Sequence, residues 1–138
     1  MRRMSARPLV LIVESQPESM RLLANLLREA DYDTTAATNE DDALVQTYAH
    51  RPDVAVLDLT LPGSAGLNLL RELHEVDPEL PAIVITGNGS PDRAQAAMRN
   101  GAFDFFTMPF DNRELLVSLA EALSSRQAGR SRLEVSRV

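Results

Sequence analysis

Asp53-Val54-Ala55-Val56-Leu57-Asp58 decides the fold: four consecutive apolar residues held between two aspartates, followed by Leu59-Thr60-Leu61-Pro62. An apolar run this short and this continuous predicts a strand covered on both faces, the habit of parallel sheets flanked by helices. Leu9 to Val13 and Ala82 to Ile85 have the same character, so these three are expected at the centre of a sheet. Tyr32 to Ala37 and Ala102 to Thr107 mix in polar residues (Asp33, Thr34, Thr35, Asp104, Thr107) and are expected at its edges. Longer stretches at helical spacing separate the runs, and the strand-helix alternation repeats five times, which specifies an α/β fold. With strands numbered along the chain, edges at 2 and 5 and right-handed crossovers select a parallel five-stranded sheet of order 2-1-3-4-5 inside a three-layer (βα)5 sandwich.

The helices carry their own start signals. Ser15-Gln16-Pro17-Glu18 reads as a capping box before a stripe of Leu22, Leu23, Leu26 and Leu27. Asn39 with Asp42 is a weaker version, Ser90-Pro91 sets a cap before a first-turn proline, and Asp111 with Glu114 precedes Leu115, Leu119 and Leu123. The third helix, from near Ser64 to Val76, offers Leu69, Leu73 and Val76 to the core. The fourth, Asp92 to Asn100, has an alanine face with Met98 as its one large apolar group, and is expected to be the least firmly anchored.

A chain of 138 residues fits one domain, and 44% apolar with 25% charged residues is an ordinary globular balance. No apolar run approaches the roughly 20 residues that cross a bilayer, and Arg2, Arg3 and Arg7 precede a stretch too short and strand-like for a signal peptide, so a soluble, cytoplasmic chain without a membrane partner is expected. Cysteine is absent, which removes thiolate and zinc-thiolate chemistry, and His50 and His74 are too far apart in sequence to suggest a metal centre. All 14 basic residues are arginine, so no lysine-dependent mechanism is open. Residues 8 to 125 hold 7 basic and 19 acidic groups, a body that repels phosphate backbones and is not expected to bind nucleic acid by itself. Residues 1 to 7 read as a basic flank, 8 to 124 as the folded domain, and 125 to 138, within the Ser/Arg/Gly-rich stretch from Ser124, as a basic flexible tail or linker.

In an open parallel sheet, ligands bind beyond the C-terminal strand ends, at the crevice where the winding reverses, here between strands 1 and 3. Glu14 and Ser15 follow strand 1, Asp58 follows strand 3, Thr86 strand 4 and Met108 strand 5. Taken with Val13-Glu14-Ser15-Gln16-Pro17, Gly66, Thr86-Gly87 and Gly101-Ala-Phe-Asp-Phe-Phe-Thr-Met-Pro109-Phe110, the pattern over residues 8 to 124 resembles the receiver domain of two-component response regulators, a flavodoxin-like fold. The resemblance implies a signalling module rather than an enzyme, found in bacteria and partnered by a histidine kinase or another signalling protein. It implies Asp58 as phosphoacceptor, Glu14 as an acid of the magnesium pocket, and the Thr60 carbonyl as a further metal contact. Thr86 and Phe105 fall on the hydroxyl and aromatic switch positions, and the Met108-Pro109 peptide on the position that is usually cis.

Two positions depart from that pattern. Ser15 stands where the family has a second metal-binding carboxylate, and Met108 where it has a lysine that pairs with a phosphoryl oxygen. Magnesium needs hard oxygen ligands, and phosphoryl transfer depends on neutralising the equatorial oxygens, so both Mg2+ binding and phosphoryl handling are expected to be weakened. Losing one carboxylate and one lysine together leaves the formal charge of the empty pocket unchanged. Arg93 or Arg113 would have to swing in to replace the missing cation.

Plainer readings stand beside these. Ser15 is explained by capping alone, Asp58 and Glu14 can serve as loop or capping acids, and Thr86 can satisfy its own turn. Met108 fills space, and of Phe103, Phe105, Phe106 and Phe110 one is expected to be exposed. His74 reads as a surface histidine, and Gly87-Asn88-Gly89 and Gly63 to Gly66 as turns rather than nucleotide loops. Three functions follow: a receiver switched by Asp58 phosphorylation, a phosphorylation-independent pseudo-receiver that docks or homodimerises through helix 4, strand 5 and helix 5, and a flavodoxin-like cofactor-binding enzyme.

Overall fold

The computed structural model describes residues 7–59, 65–87 and 89–136, and of Ala65 and residues 127–136 the backbone only. Thr60, Pro62, Gly63, Ser64, Asn88 and residues 1–6 of the basic flank lie outside the described residues. Strands β1 (Leu9–Val13), β2 (Asp33–Ala37), β3 (Val54–Asp58), β4 (Ala82–Thr86) and β5 (Asp104–Thr107) alternate with helices α1 (Pro17–Glu29), α2 (Glu40–His50), α3 (Ala65–Val76), α4 (Pro91–Arg99) and α5 (Asn112–Ser136). The strands form one parallel sheet in the order β2-β1-β3-β4-β5, with β2 and β5 at the edges.

Side-chain alternation along the central strands divides the core in two. Leu11, Val13, Ala55, Leu57, Ala82 and Val84 face α2, α3 and α4, where they meet Ala43, Leu69, Leu70, Leu73 and Ala97. Val10, Ile12, Val54, Val56, Ile83 and Ile85 face α1 and α5, where they meet Leu23, Ala24, Leu27, Leu115, Leu119 and Ala122. Every residue of β1, β3 and β4 is buried, as a strand covered on both sides requires. Helix α4 contributes one buried residue, Ala97, and its Met98 is exposed, in keeping with the weak anchoring its alanine face predicts.

Several local expectations change. Pro17 occupies the first helical position of α1, which makes Gln16 the N-cap and leaves Ser15 outside the helix and exposed, so the capping box does not form. Leu22 leaves the buried stripe and is 56% exposed, while Leu23 and Leu27 are buried. None of the four phenylalanines is exposed; each is half-buried, and Phe106 and Phe110 lean on one another with ring centroids 6.1 Å apart. His74 is half-buried rather than on the surface, with Nε2 at 2.9 Å from the Leu80 carbonyl oxygen. The other caps form as the sequence implies: Asn39 accepts from the Asp42 amide, Ser90 from Arg93, and Asp111 from Arg113.

The segment from Ser124 onward, expected as a flexible tail or linker, takes helical form. Helix α5 continues through it to Ser136. Packing of Leu115, Leu119 and Ala122 nucleates the helix, after which each further residue adds a hydrogen bond at little entropic cost. Arg126 then pins it by donating to the Asp77 carboxylate at 2.7 Å, with its own side chain only 7% exposed. No helix among the described residues is long and apolar enough to cross a membrane.

Candidate functional site: an acidic crevice at the sheet switch point

Strands β1 and β3 are neighbours paired through Val13↔Leu57, so the next residue of each, Glu14 and Asp58, falls at the same level of the sheet's C-terminal edge. Glu14 continues the in-out alternation of Val10 and Ile12, and Asp58 that of Val54 and Val56, which aims both toward the α1/α5 face. The Glu14 amide donates to the Ala37 carbonyl at 3.0 Å, and the Leu59 amide to the Ile85 carbonyl at 2.9 Å, so backbone on either side fixes both acids. Glu14 is 1% and Asp58 2% exposed. The crevice anticipated between strands 1 and 3 therefore exists, with two carboxyl groups in it.

The Glu14 pKa is pushed up to about 7, chiefly because burial penalises its charged form and then because the Asp58 carboxyl lies beside it. The Gln16 and Ser15 backbone amides oppose the shift only in part, the former through a long 3.5 Å contact to Oε2. Among the described residues no group of three or more acidic, histidine or cysteine side chains gathers as a metal cage. Glu14 and Asp58 nevertheless fit Mg2+, which is commonly held by one or two carboxylates plus water. Ser15, exposed beyond the strand end, brings no carboxylate to that set. Thr60, expected to lend a carbonyl, lies outside the described residues.

Thr86, fully buried, ends β4 one step beyond Ile85, the partner of Asp58, and its carbonyl accepts from the Met108 amide at 2.8 Å. Phe105 pairs with Val84 on β4 and packs against the α2–α4 side of the core. By alternation Thr86 faces that same side, so the hydroxyl and the aromatic ring share one face of the sheet. The Met108–Pro109 peptide is cis. Met108, Pro109 and Phe110 form one wall of a groove of about 520 Å³, with Ser19, Leu22, Leu23 and Leu26 of α1, Ile85, Asn112, and Glu14 as its one ionisable group. Neither Arg93 nor Arg113 lines it; Arg113 instead borders a separate concavity with Asp104 and Glu114. Met108 as space filler and Leu22 in an apolar stripe were readable in the sequence, but a groove joining α1 to the segment after β5 was not, because its walls lie some 80 residues apart along the chain.

Comparison with known proteins agrees with this architecture. The family described as the response regulator receiver domain matches residues 10–120. The nitrogen assimilation regulatory protein NtrX of Azorhizobium caulinodans is 34% identical over 131 residues, covering 94% of this chain and 29% of that protein. The crystal structure of NtrX from Brucella abortus in complex with ADP superposes with a TM-score of 0.88 at 31% identity, over 94% of this chain and 30% of that one. A signal receiver domain of an HD domain-containing protein from Pseudomonas fluorescens superposes with a TM-score of 0.84 at 27% identity, over 96% of this chain and 98% of that one. The chain thus spans under a third of the length of the NtrX relatives. With a sheet of order 2-1-3-4-5, an acidic switch point and a family match over residues 10–120, the chain belongs to the receiver domains of two-component response regulators.

Proposed function

We propose that Asp58 is the phosphoacceptor of this receiver, served by a histidine kinase, and that its Mg2+ and phosphoryl handling are weakened by Ser15 and Met108. Receiver domains are signalling modules rather than enzymes, so the function is a change of state and not turnover. The observation that carries the reading is the Glu14–Asp58 pair: two buried carboxyls side by side at the switch point, with an apolar Met108 near Glu14. Glu14 and Asp58 would hold the metal, which when bound supplies positive charge to the phosphoryl oxygens. Asp58 supplies the attacking carboxylate oxygen. Glu14 must release its proton before it can bind a cation, which adds to the cost of loading the site. Methionine gives nothing that neutralises a developing phosphoryl charge.

Incubation with Mg2+ and a small phosphodonor, followed by intact-mass measurement on the wild type and Asp58→Asn, tests this. A slowly formed phosphoryl adduct on the wild type, absent from Asp58→Asn, is expected. An adduct that persists in Asp58→Asn would remove Asp58 from the role.

A second reading, a phosphorylation-independent module that homodimerises through α4, β5 and α5, is favoured by Met98 and Val117, large apolar side chains exposed on α4 and α5. Sedimentation of the untreated protein and of Met98→Asp/Val117→Asp separates it from the first: a dimer that dissociates on substitution, unchanged by phosphodonor, supports it, and a monomer at all concentrations rejects it.

A further inference from the structure

Helix α4 is nine residues long and buries one of them, Ala97, so its inner face explains little of what holds it in place. Its two ends explain more. Gly89 stands just ahead of the Ser90 cap and Gly101 just after the Asn100 cap, and each lies flat on a side chain of a neighbouring element. A Cβ on Gly89 would overlap Thr107 Oγ1 and come within 2.8 Å of Thr107 Cβ and 2.9 Å of its Cγ2. Thr107 Cβ is fixed to strand β5, so turning that side chain makes no room. The Gly89 backbone lies outside the left-handed region, and close approach is therefore what requires glycine there. At the other end, a Cβ on Gly101 would come within 2.9 Å of His74 Cε1 and 3.0 Å of Nδ1. That ring is held in place by the 2.9 Å hydrogen bond between Nε2 and the Leu80 carbonyl oxygen.

The two contacts differ in what supports them. At the C-terminal end the Asn100 side chain donates to the Ala96 carbonyl at 2.7 Å, the Ala102 amide to the Ala97 carbonyl at 3.0 Å, and the Phe103 amide to the Ala82 carbonyl of β4 at 2.8 Å. The N-terminal end has the Ser90 cap, 3.2 Å from the Arg93 amide, and the seat of Gly89 on Thr107. That seat adjoins the crevice, because Thr107 is paired with Thr86, whose carbonyl accepts from the Met108 amide. We propose that α4 is a strap hinged where Gly101 meets His74 and releasable where Gly89 meets Thr107, so that a displacement of the β4 and β5 ends swings its N-terminal end about a fixed C-terminal one. The proposal rests on the contacts of α4 itself and holds whether or not Asp58 accepts a phosphoryl group.

Amide hydrogen exchange followed by NMR on the full chain separates the two ends, with the buried amides of β1 and β3 as the check that the fold is intact. Gly89→Ala is expected to speed exchange at Ala94 and Gln95, near the helix start, about tenfold, an ordinary consequence of overpacking, and to leave Asn100 and Ala102 within about twofold of the wild type. Gly89→Ala/Thr107→Gly, which empties the space the new methyl group needs, should return Ala94 and Gln95 to the rates of Thr107→Gly alone. His74→Ala removes the hinge and should speed exchange at both ends of α4. Acceleration at both ends in Gly89→Ala, no acceleration at either, no reversal by Thr107→Gly, or an α4 unaffected by His74→Ala would each overturn the proposal.

Discussion

Glu14→Gln should make the domain less sensitive to pH, by an amount that follows from the burial of Glu14. In the folded chain the Glu14 pKa is about 7 against 4.5 when unfolded, so between those values the native state holds a proton that the unfolded state has lost. Stability therefore falls as pH rises through this window, because the unfolded state binds fewer protons than the native one. At about 1.36 kcal/mol per pH unit, the window is worth on the order of 3 kcal/mol. Between pH 5 and 8, where titration is incomplete at the lower end, the loss is about 2–3 kcal/mol. Glutamine keeps a donor for Asp58 and has no proton to lose, so the variant should be flatter than the wild type by that amount. Asp58→Asn should reduce the slope without abolishing it, since the burial of Glu14, the largest single cause, remains. Urea unfolding at a series of pH values measures this directly. Parallel pH profiles for wild type and Glu14→Gln would refute the reasoning, because they would mean that Glu14 titrates in the folded protein as it does in the unfolded chain.

Two further outcomes follow from the structure. In the Arg126–Asp77 pair the arginine is more deeply buried, and its Nε and Nη1 find no hydrogen-bond partner among the described residues, so Asp77→Ala should cost about 2–4 kcal/mol and Arg126→Met distinctly less, measured by urea unfolding. The reverse order would show that the pair does not hold α5 in place. Helix α4, with Ala97 as its one buried residue, should exchange its amides fastest of the five helices, and Ser90→Ala should speed that exchange by removing a cap worth about 1 kcal/mol.

The sequence reveals most about the sheet and least about how its ends are finished. Continuous apolar runs at β1, β3 and β4 and mixed ones at β2 and β5 carry the strand order, because a parallel strand's burial on two faces is written directly in its residues. Glu14 and Asp58 come together for the same reason, one directly following buried strand β1 and the other ending buried strand β3. Ser15 misleads because it satisfies a local capping pattern, while Pro17, two residues on, fixes the helix start and hands the cap to Gln16. The continuation of α5 is hidden because Ser, Arg and Gly after Leu123 give no apolar period; its anchor is Asp77, 49 residues away, which no local pattern reports. The groove is hidden likewise, built from α1 and the segment after β5, and visible only once the sheet has brought them together.

Restoring the two missing groups tests the central claim most directly. The initial rate of Asp58 phosphorylation from a small phosphodonor in Mg2+, followed by intact mass, is compared between wild type and Ser15→Asp/Met108→Lys. If the acidic crevice is a receiver pocket lacking one carboxylate and one cation, the double variant should be labelled on the order of a hundredfold faster, the scale of a single charge-stabilising group at a transferring centre. Wild type labelled as fast as the double variant would contradict the account, because Ser15 and Met108 would then not be what limits the site.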